Sequence, residues 1–245
     1  MSKLKFESTH GLNLVADWHE ADSDKVIIMI HGFGGDRHHF GGFDQFATDF
    51  NKVGFNVLTL DMSGQGESDD APIEFDQWED DLVMAVSKVY ELGMKSIGLL
   101  GFSLGGLTAL RAAAHAHAIV LMSPVTDSLP NITEEFTVEE LAVLKEVGKF
   151  ETNVSSKSRS RMTVTQQTID DFHNIKQDEL LINIEVPVLI FHSDADSVVP
   201  LSHSHKAAEL LVDGELEVIK GDNHRLSKSI DFISQESTKF FITNL

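Results

Sequence analysis

Short, continuously apolar stretches recur along the chain, each separated from the next by a segment of helical period, and this alternation restricts the possible folds more than any other feature. A strand buried on both faces has no polar side to show, so it reads as an unbroken hydrophobic run. Val26 to Ile30, Asn56 to Asp61, Ser96 to Phe102, His117 to Met122, Val186 to His192 and Leu216 to Lys220 are such runs. Helical segments are expected at Phe40 to Val53, Phe75 to Leu92, Leu104 to His115, Leu201 to Val212 and Lys228 to Phe241. Lys3 to Glu7 and Leu12 to Trp18, joined at Thr9-His10-Gly11, read as an opening hairpin. The pattern predicts a mostly parallel sheet with helices on both faces. At 245 residues the chain has the length of one such domain, spanning 1–245.

One segment departs from the alternation. Residues 124–184 contain no clean strand–helix unit, and a connection that long inside a compact domain is expected to be a lid or a substrate-binding insert. Within it, Thr137-Val138-Glu139-Glu140 has the spacing of a capping box and starts a helix running through Val147. Phe150 to Asn153 and Arg161 to Thr165 flank Ser155-Ser156-Lys157-Ser158 and suit a small hairpin.

Where the run Ser96 to Leu100 meets the helical segment after it, the sequence is Gly101-Phe102-Ser103-Leu104-Gly105-Gly106. A serine flanked by glycines at a strand-to-helix turn fits the nucleophile-elbow pattern, whose tight, strained bend leaves no room for side chains beside the hydroxyl. Such a turn puts Ser103 at the carboxyl edge of the sheet, where open α/β folds bind ligands. A hydroxyl is a poor nucleophile until a base takes its proton, so the reading requires a histidine and an acid to orient it, both later in the chain. The stretch after the run Val186 to His192 carries Asp194 and Asp196, and either can be that acid. The stretch after Leu216 to Lys220 carries His224. Both lie just past strand ends and therefore gather at the edge that holds Ser103.

Together with these, Ile30-His31-Gly32-Phe33-Gly34-Gly35 and Asp61-Met62-Ser63-Gly64-Gln65-Gly66-Glu67-Ser68 complete a set of motifs. In that set the chain resembles the α/β-hydrolase superfamily, and within it the small serine esterases of the monoglyceride-lipase, cinnamoyl-esterase and serine-aminopeptidase-like group. The resemblance implies an α/β-hydrolase fold: a mostly parallel eight-stranded sheet, helices on both faces and a small lid insert. It implies Ser103 as nucleophile and His224 as general base. A family pattern H-G-x-x-D-x-x-V-P laid on His192 to Pro200 makes Asp196 the triad acid and Asp194 a residue that shapes the loop. It also implies an oxyanion hole from the backbone N–H groups of Phe33 and Leu104. Phe102 and Ser193 depart from the pattern, standing where histidine and glycine are common. The implied activity is hydrolysis of a carboxylic ester of a small or medium acyl group through an acyl-enzyme, on a small-molecule ester substrate and with no cofactor. A thioesterase, an aminopeptidase, a carbon–carbon hydrolase or a non-catalytic ligand-binding protein of the same fold would share the same residues.

Composition excludes several classes. With 19 Lys and Arg against 39 Asp and Glu, the net charge of −20 repels nucleic acid and anionic membrane surfaces. Cysteine is absent, so thiol catalysis and disulfides are excluded. The opening residues lack a signal-peptide core and no stretch is long enough to span a bilayer, so a cytoplasmic protein, monomer or homodimer, is expected. The pairs His38-His39, His115 with His117, and His203 with His205 have no metal-site spacing, and no metal is expected. His31 is expected to brace its loop. Lys157, Arg159 and Arg161 form a basic group, read chiefly as a solvated face and secondarily as an attractor for acidic substrates.

Overall fold

Alternate residues of the central strands point to opposite faces, and both faces are covered. In the computed structural model, which describes residues 1–39, 42–154 and 156–245, β3 (Lys25–Ile30) sends Val26, Ile28 and Ile30 to one apolar cluster and Ile27 and Met29 to another. β9 (Val188–Ser193) divides in the same way, with Val188 and Ile190 on the first face and Leu189 and Phe191 on the second. Two-sided burial is the physical reason these runs carry no polar alternation.

The first face is covered by α2 (Phe75–Glu91), α3 (Leu104–Arg111), α7 (Leu201–Leu210) and part of the insert. The second is covered by α1 (Gly42–Lys52) and α8 (Ile230–Asn244), through Phe43, Phe46, Phe50, Ile233 and Phe241. The remaining strands of the sheet are β1 (Ser2–Glu7), β2 (Asn13–His19), β4 (Asn56–Asp61), β5 (Ser96–Phe102), β6 (Ala118–Met122) and β10 (Gly214–Ile219). The sheet has eight strands in the order β1-β2-β4-β3-β5-β6-β9-β10. β1 and β2 run antiparallel to their neighbours, and all pairings from β4 to β10 are parallel. The expected eight-stranded, mostly parallel sheet is therefore present. The expected strands differ from the observed ones by a residue or two at their ends. The expected helix from Phe40 is seen as α1 from Gly42, with Phe40 and Gly41 outside the described residues. The segment Leu104 to His115 ends its α-helix at Arg111 and continues as one 3-10 turn, Ala113–His115.

Parallel connection has a consequence for chemistry: β3, β5, β6, β9 and β10 all end at the same edge. The insert leaves that edge directly after β6. It contains a 3-10 turn (Ile132–Glu135), α4 (Val138–Val147), the hairpin β7 (Lys149–Asn153) with β8 (Arg161–Thr165), α5 (Gln166–His173) and α6 (Gln177–Leu181). The capping box is formed: the Glu140 N–H donates to Thr137 Oγ1, and the Thr137 N–H donates to the Glu140 carboxylate. The hairpin is also formed, with Ser155 of its turn outside the described residues. α5 and α6 were not expected. α5 is capped by Thr165 with Thr168 in the place usually held by an acid, and it buries only Ile169 and Phe172 besides Thr168, too short a stripe to stand out in the sequence. Among the described residues no helix is long and apolar enough to cross a membrane.

Candidate active site

The turn from β5 into α3 forces Ser103 to φ +55°, a conformation that costs a non-glycine residue on the order of 1–3 kcal/mol and is held only by its surroundings. The surroundings are backbone. Ser103 N–H donates to the Met122 carbonyl, and the Ser103 carbonyl accepts from Gly106 and Val125 N–H. A Cβ on Gly101 would overlap the Gly105 carbonyl, and a Cβ on Gly105 would overlap the carbonyls of Ile30 and His31. The two glycines thus let α3 start against the end of β3.

Three side chains from three strand ends meet there. His224 Nε2 lies 3.1 Å from Ser103 Oγ, and His224 Nδ1 lies 2.7 Å from Asp196 Oδ2. Asp196 is fully buried at the side chain, and its other oxygen, Oδ1, accepts the N–H groups of Val198 and Val199. Burial alone would raise this carboxyl, but hydrogen bonding from the His192 and His224 rings and from Val198 outweighs it and holds Asp196 well below the usual carboxylate range. The neighbouring Asp194 does something else: its Oδ1 accepts the Gly221 N–H, tying the loop after β9 to the loop after β10. Ser193, in the place of a glycine, donates its hydroxyl to the Asp222 carbonyl and reinforces the same junction.

Phe33 and Leu104 line the cavity that also holds Ser103. Leu104 is the first residue of α3, where an N–H has no intrahelical acceptor. The loop bearing Phe33 is braced from behind. His31 is fully buried, with Nδ1 2.8 Å from the Gly32 carbonyl and Nε2 accepting the Met62 N–H. Arg37 is buried among Asp17, Asp61 and Glu67, at 2.8, 2.5 and 2.7 Å. A Cβ on Gly66 would overlap the Asp61 carboxylate, so the D-x-x-G-x-G-x-S motif wraps this ion cluster and does not itself reach Ser103.

The cavity measures about 470 Å³, within the usual range for small-molecule sites. Its walls are mostly apolar: Phe33, Phe102 and Leu104 from the body, and Leu129, Phe136, Met162 and Phe172 from the insert. Phe33 meets Phe136 and Phe172 edge to face, with centroids at 6.4 and 5.6 Å. Phe102 lies between two imidazoles, 4.1 Å from the His39 ring and 5.0 Å from the His224 ring. Burial pushes His39 down to about 3, aided by His31, Arg225 and His224, so this ring is neutral beside the site.

The other histidine pairs are dispersed into separate contacts. His38 lies 2.9 Å from Asp44, and His117 accepts the Ile97 N–H. None of Lys157, Arg159 and Arg161 lines the cavity. Arg159 is half inside the protein, bonded to Asp70 and to the Gly66 and Ser68 carbonyls, while Arg161 is exposed and paired with Glu151. The basic side chain that does line the cavity is Arg225, which follows His224. The insert's aromatic wall residues, Phe136 and Phe172, also went unassigned in the sequence, because single aromatic residues in irregular segments carry no period.

Residues 21–183 match a family model described as serine aminopeptidase, S33. Lysophosphatidylserine lipase ABHD12 of Danio rerio is 28% identical over 211 residues, covering 80% of this chain and 50% of its own length. The chain thus spans about half the length of that relative. The AB hydrolase superfamily protein YisY of Bacillus subtilis is 26% identical over 234 residues, covering 82% of this chain and 85% of its own. Among solved structures, Est1E of Butyrivibrio proteoclasticus with bound ferulic acid superposes with a TM-score of 0.81 at 23% identity, covering 98% of both chains.

Proposed function

The chain belongs to the serine aminopeptidase S33 family of α/β-hydrolases, and on that premise we propose that it hydrolyses carboxylic esters of small to medium acyl groups through an acyl-enzyme on Ser103. The observation that carries the proposal is the hydrogen-bonded line from Ser103 Oγ through His224 to Asp196. Ser103 Oγ attacks the ester carbonyl while His224 Nε2 takes its proton. The buried Asp196 carboxylate holds Nδ1–H and stabilises the imidazolium that forms. The oxyanion rests on the Phe33 and Leu104 N–H groups, each such donor being worth about 10²- to 10³-fold in rate. His224 then protonates the leaving alkoxide, which departs as alcohol. Water, deprotonated by the same ring, attacks the acyl-serine, releases the acid and restores Ser103.

The reading of the acyl group rests on the cavity: apolar, of moderate volume, and walled on one side by the insert. We read residues 1–245 as one catalytic domain with 124–184 as its lid or substrate-binding cap, acting as a monomer or homodimer on a small-molecule ester. The test is covalent labelling with a fluorophosphonate, wild type against Ser103→Ala, followed by turnover of p-nitrophenyl esters of increasing chain length, a feruloyl ester and aminoacyl anilides. Labelling that depends on Ser103, with turnover greatest on short to medium esters, is expected. Failure of the wild type to label, or turnover confined to the anilides, would overturn the ester reading.

A further inference from the structure

The hydrogen-bonded line does not end at the Asp196 carboxylate. His192, near the end of β9, is fully buried, and its Nε2 lies 3.2 Å from Asp196 Oδ2, the same oxygen that receives His224 Nδ1. The same nitrogen lies 3.0 Å from the Val199 carbonyl, and His192 Nδ1 lies 2.6 Å from Ser204 Oγ on α7. These partners assign the proton. A carboxylate and a carbonyl can only accept, so a bare Nε2 would face two oxygens without a hydrogen between them; the proton belongs on Nε2. Nδ1 is then an acceptor, and the Ser204 hydroxyl donates to it.

We propose that His192, held in one tautomer by the Val199 carbonyl and steadied at Nδ1 by Ser204, is a positioning residue of the catalytic centre that sets the pH at which His224 becomes available as a base. The inference rests on the serine-hydrolase reading above. An anion shared between two ring N–H groups is drawn less strongly toward either one. The His192 N–H is given to the Val199 carbonyl, and the polar edge that carries it stands 3.2 Å from Oδ2, so the carboxylate's pull on His224 is moderated. With that donor removed, the full charge favours the imidazolium form of His224, and the base is lost at a higher pH. The same N–H, through the Val199 carbonyl, braces the turn whose N–H groups hold Asp196 Oδ1, so the plane of the carboxylate is fixed from both sides.

Other titratable and charged groups face this cluster. His203 comes from α7, with Asp127 from the start of the insert acting on it. Asp194 lies on the same loop, Asp222 and Arg225 flank His224, and His39 stands across Phe102. Burial holds His39 and His203 below the ordinary histidine value. The substitutions below change none of these groups.

The experiment measures kcat/KM against pH on a p-nitrophenyl ester, with fluorophosphonate labelling alongside, for wild type, His192→Leu, His192→Gln and Ser204→Ala. In His192→Leu the acid limb is expected to move up by about half to one pH unit. Its kcat falls about tenfold, the scale of one hydrogen bond to a charged group, while KM stays within about twofold. His192→Gln, whose side-chain amide can donate in place of Nε2–H, returns the limb toward the wild-type position. Ser204→Ala shifts it the same way by less. A His192 that only fills space and braces the turn would lower the melting temperature of the Leu variant and leave the limb in place, and that result overturns the proposal. If the Leu variant does not fold, Ser204→Ala decides, and an unmoved limb there overturns it equally. A wild type that neither labels nor turns over brings down the underlying reading instead, so the two failures are distinguishable.

Discussion

Gly105 has more influence on the site than its lack of a side chain suggests. The atoms that a Cβ there would meet are the backbone oxygens of Ile30 and His31, which cannot rotate away as a side chain can. Gly105→Ala must push α3 off β3, and it is expected to destabilise the fold by about 1–3 kcal/mol, as overpacking does. Because Leu104 N–H and Ser103 move with α3, kcat should fall further than that destabilisation explains. Urea titration and turnover on one ester check both; wild-type stability and rate together would show that the elbow is not packed as described. At this scale the sequence was informative wherever chemistry dictated residue type. The glycines, the serine, the histidine and two candidate acids were all legible. Choosing Asp196 over Asp194 required the family pattern, since both follow the same strand and differ only in what they meet: the His224 imidazole at 2.7 Å for one and a loop N–H for the other. Ser204 carried no signal, because its role depends on a turn of α7 packing beside β9.

At the level of elements, the strands were legible because two-sided burial leaves unbroken apolar runs, and the insert was legible mainly as an interruption. Its capped helix and hairpin could be read from local patterns. Its attachment could not, since that depends on contacts far apart in sequence. The 149–165 hairpin is fastened at two places: the Ser156 hydroxyl and Lys157 N–H donate to Asp36 on the Phe33 loop, and Arg159 binds the Gly66 and Ser68 carbonyls and Asp70. A main-chain bond from Ile73 N–H to the Thr163 carbonyl adds a third contact. Since Met162 and Val154 line the cavity, the fastening sets its shape. Arg159→Ala is expected to raise KM several-fold with a smaller change in kcat, and to speed hydrogen exchange in residues 149–165 while leaving β5 and β9 protected. Uniform exchange throughout, or unchanged KM, would contradict a role for Arg159 in holding the cavity wall.

Across the whole molecule, carboxylates of opposite tendency decide how stability responds to pH. Glu67 is held at about 2 by Lys3 and Arg37, and Asp196 is depressed by its ring partners. For groups lowered on folding, the stabilisation is complete above the ordinary carboxylate range and is lost as pH falls toward the folded values. Acid should therefore unfold the protein progressively below about pH 4. Asp81 behaves in the opposite sense. It is fully buried on α2, its Oδ2 accepts the Ser63 N–H, Oδ1 has no partner among the described residues, and burial raises it to about 6. A raised carboxyl costs nothing while protonated in both states; from about pH 4 to 6 the unfolded chain ionises first and stability falls. Asp81→Asn, which keeps an acceptor for Ser63, should gain stability relative to wild type across that window, by roughly 2–3 kcal/mol at about 1.4 kcal/mol per pKa unit, and run parallel above it. Urea midpoints from pH 4 to 8 check this, and profiles parallel throughout would refute it.

The proposed function turns on one central event, the transfer of an acyl group to Ser103 Oγ. Intact-mass spectrometry of the enzyme quenched in acid during turnover of a p-nitrophenyl ester tests it most directly. The expected result is a species heavier by one acyl group, located by peptide mapping at Ser103, absent from Ser103→Ala and accumulating when deacylation is slowed. Steady turnover with no covalent species, and activity retained in Ser103→Ala, would contradict the account.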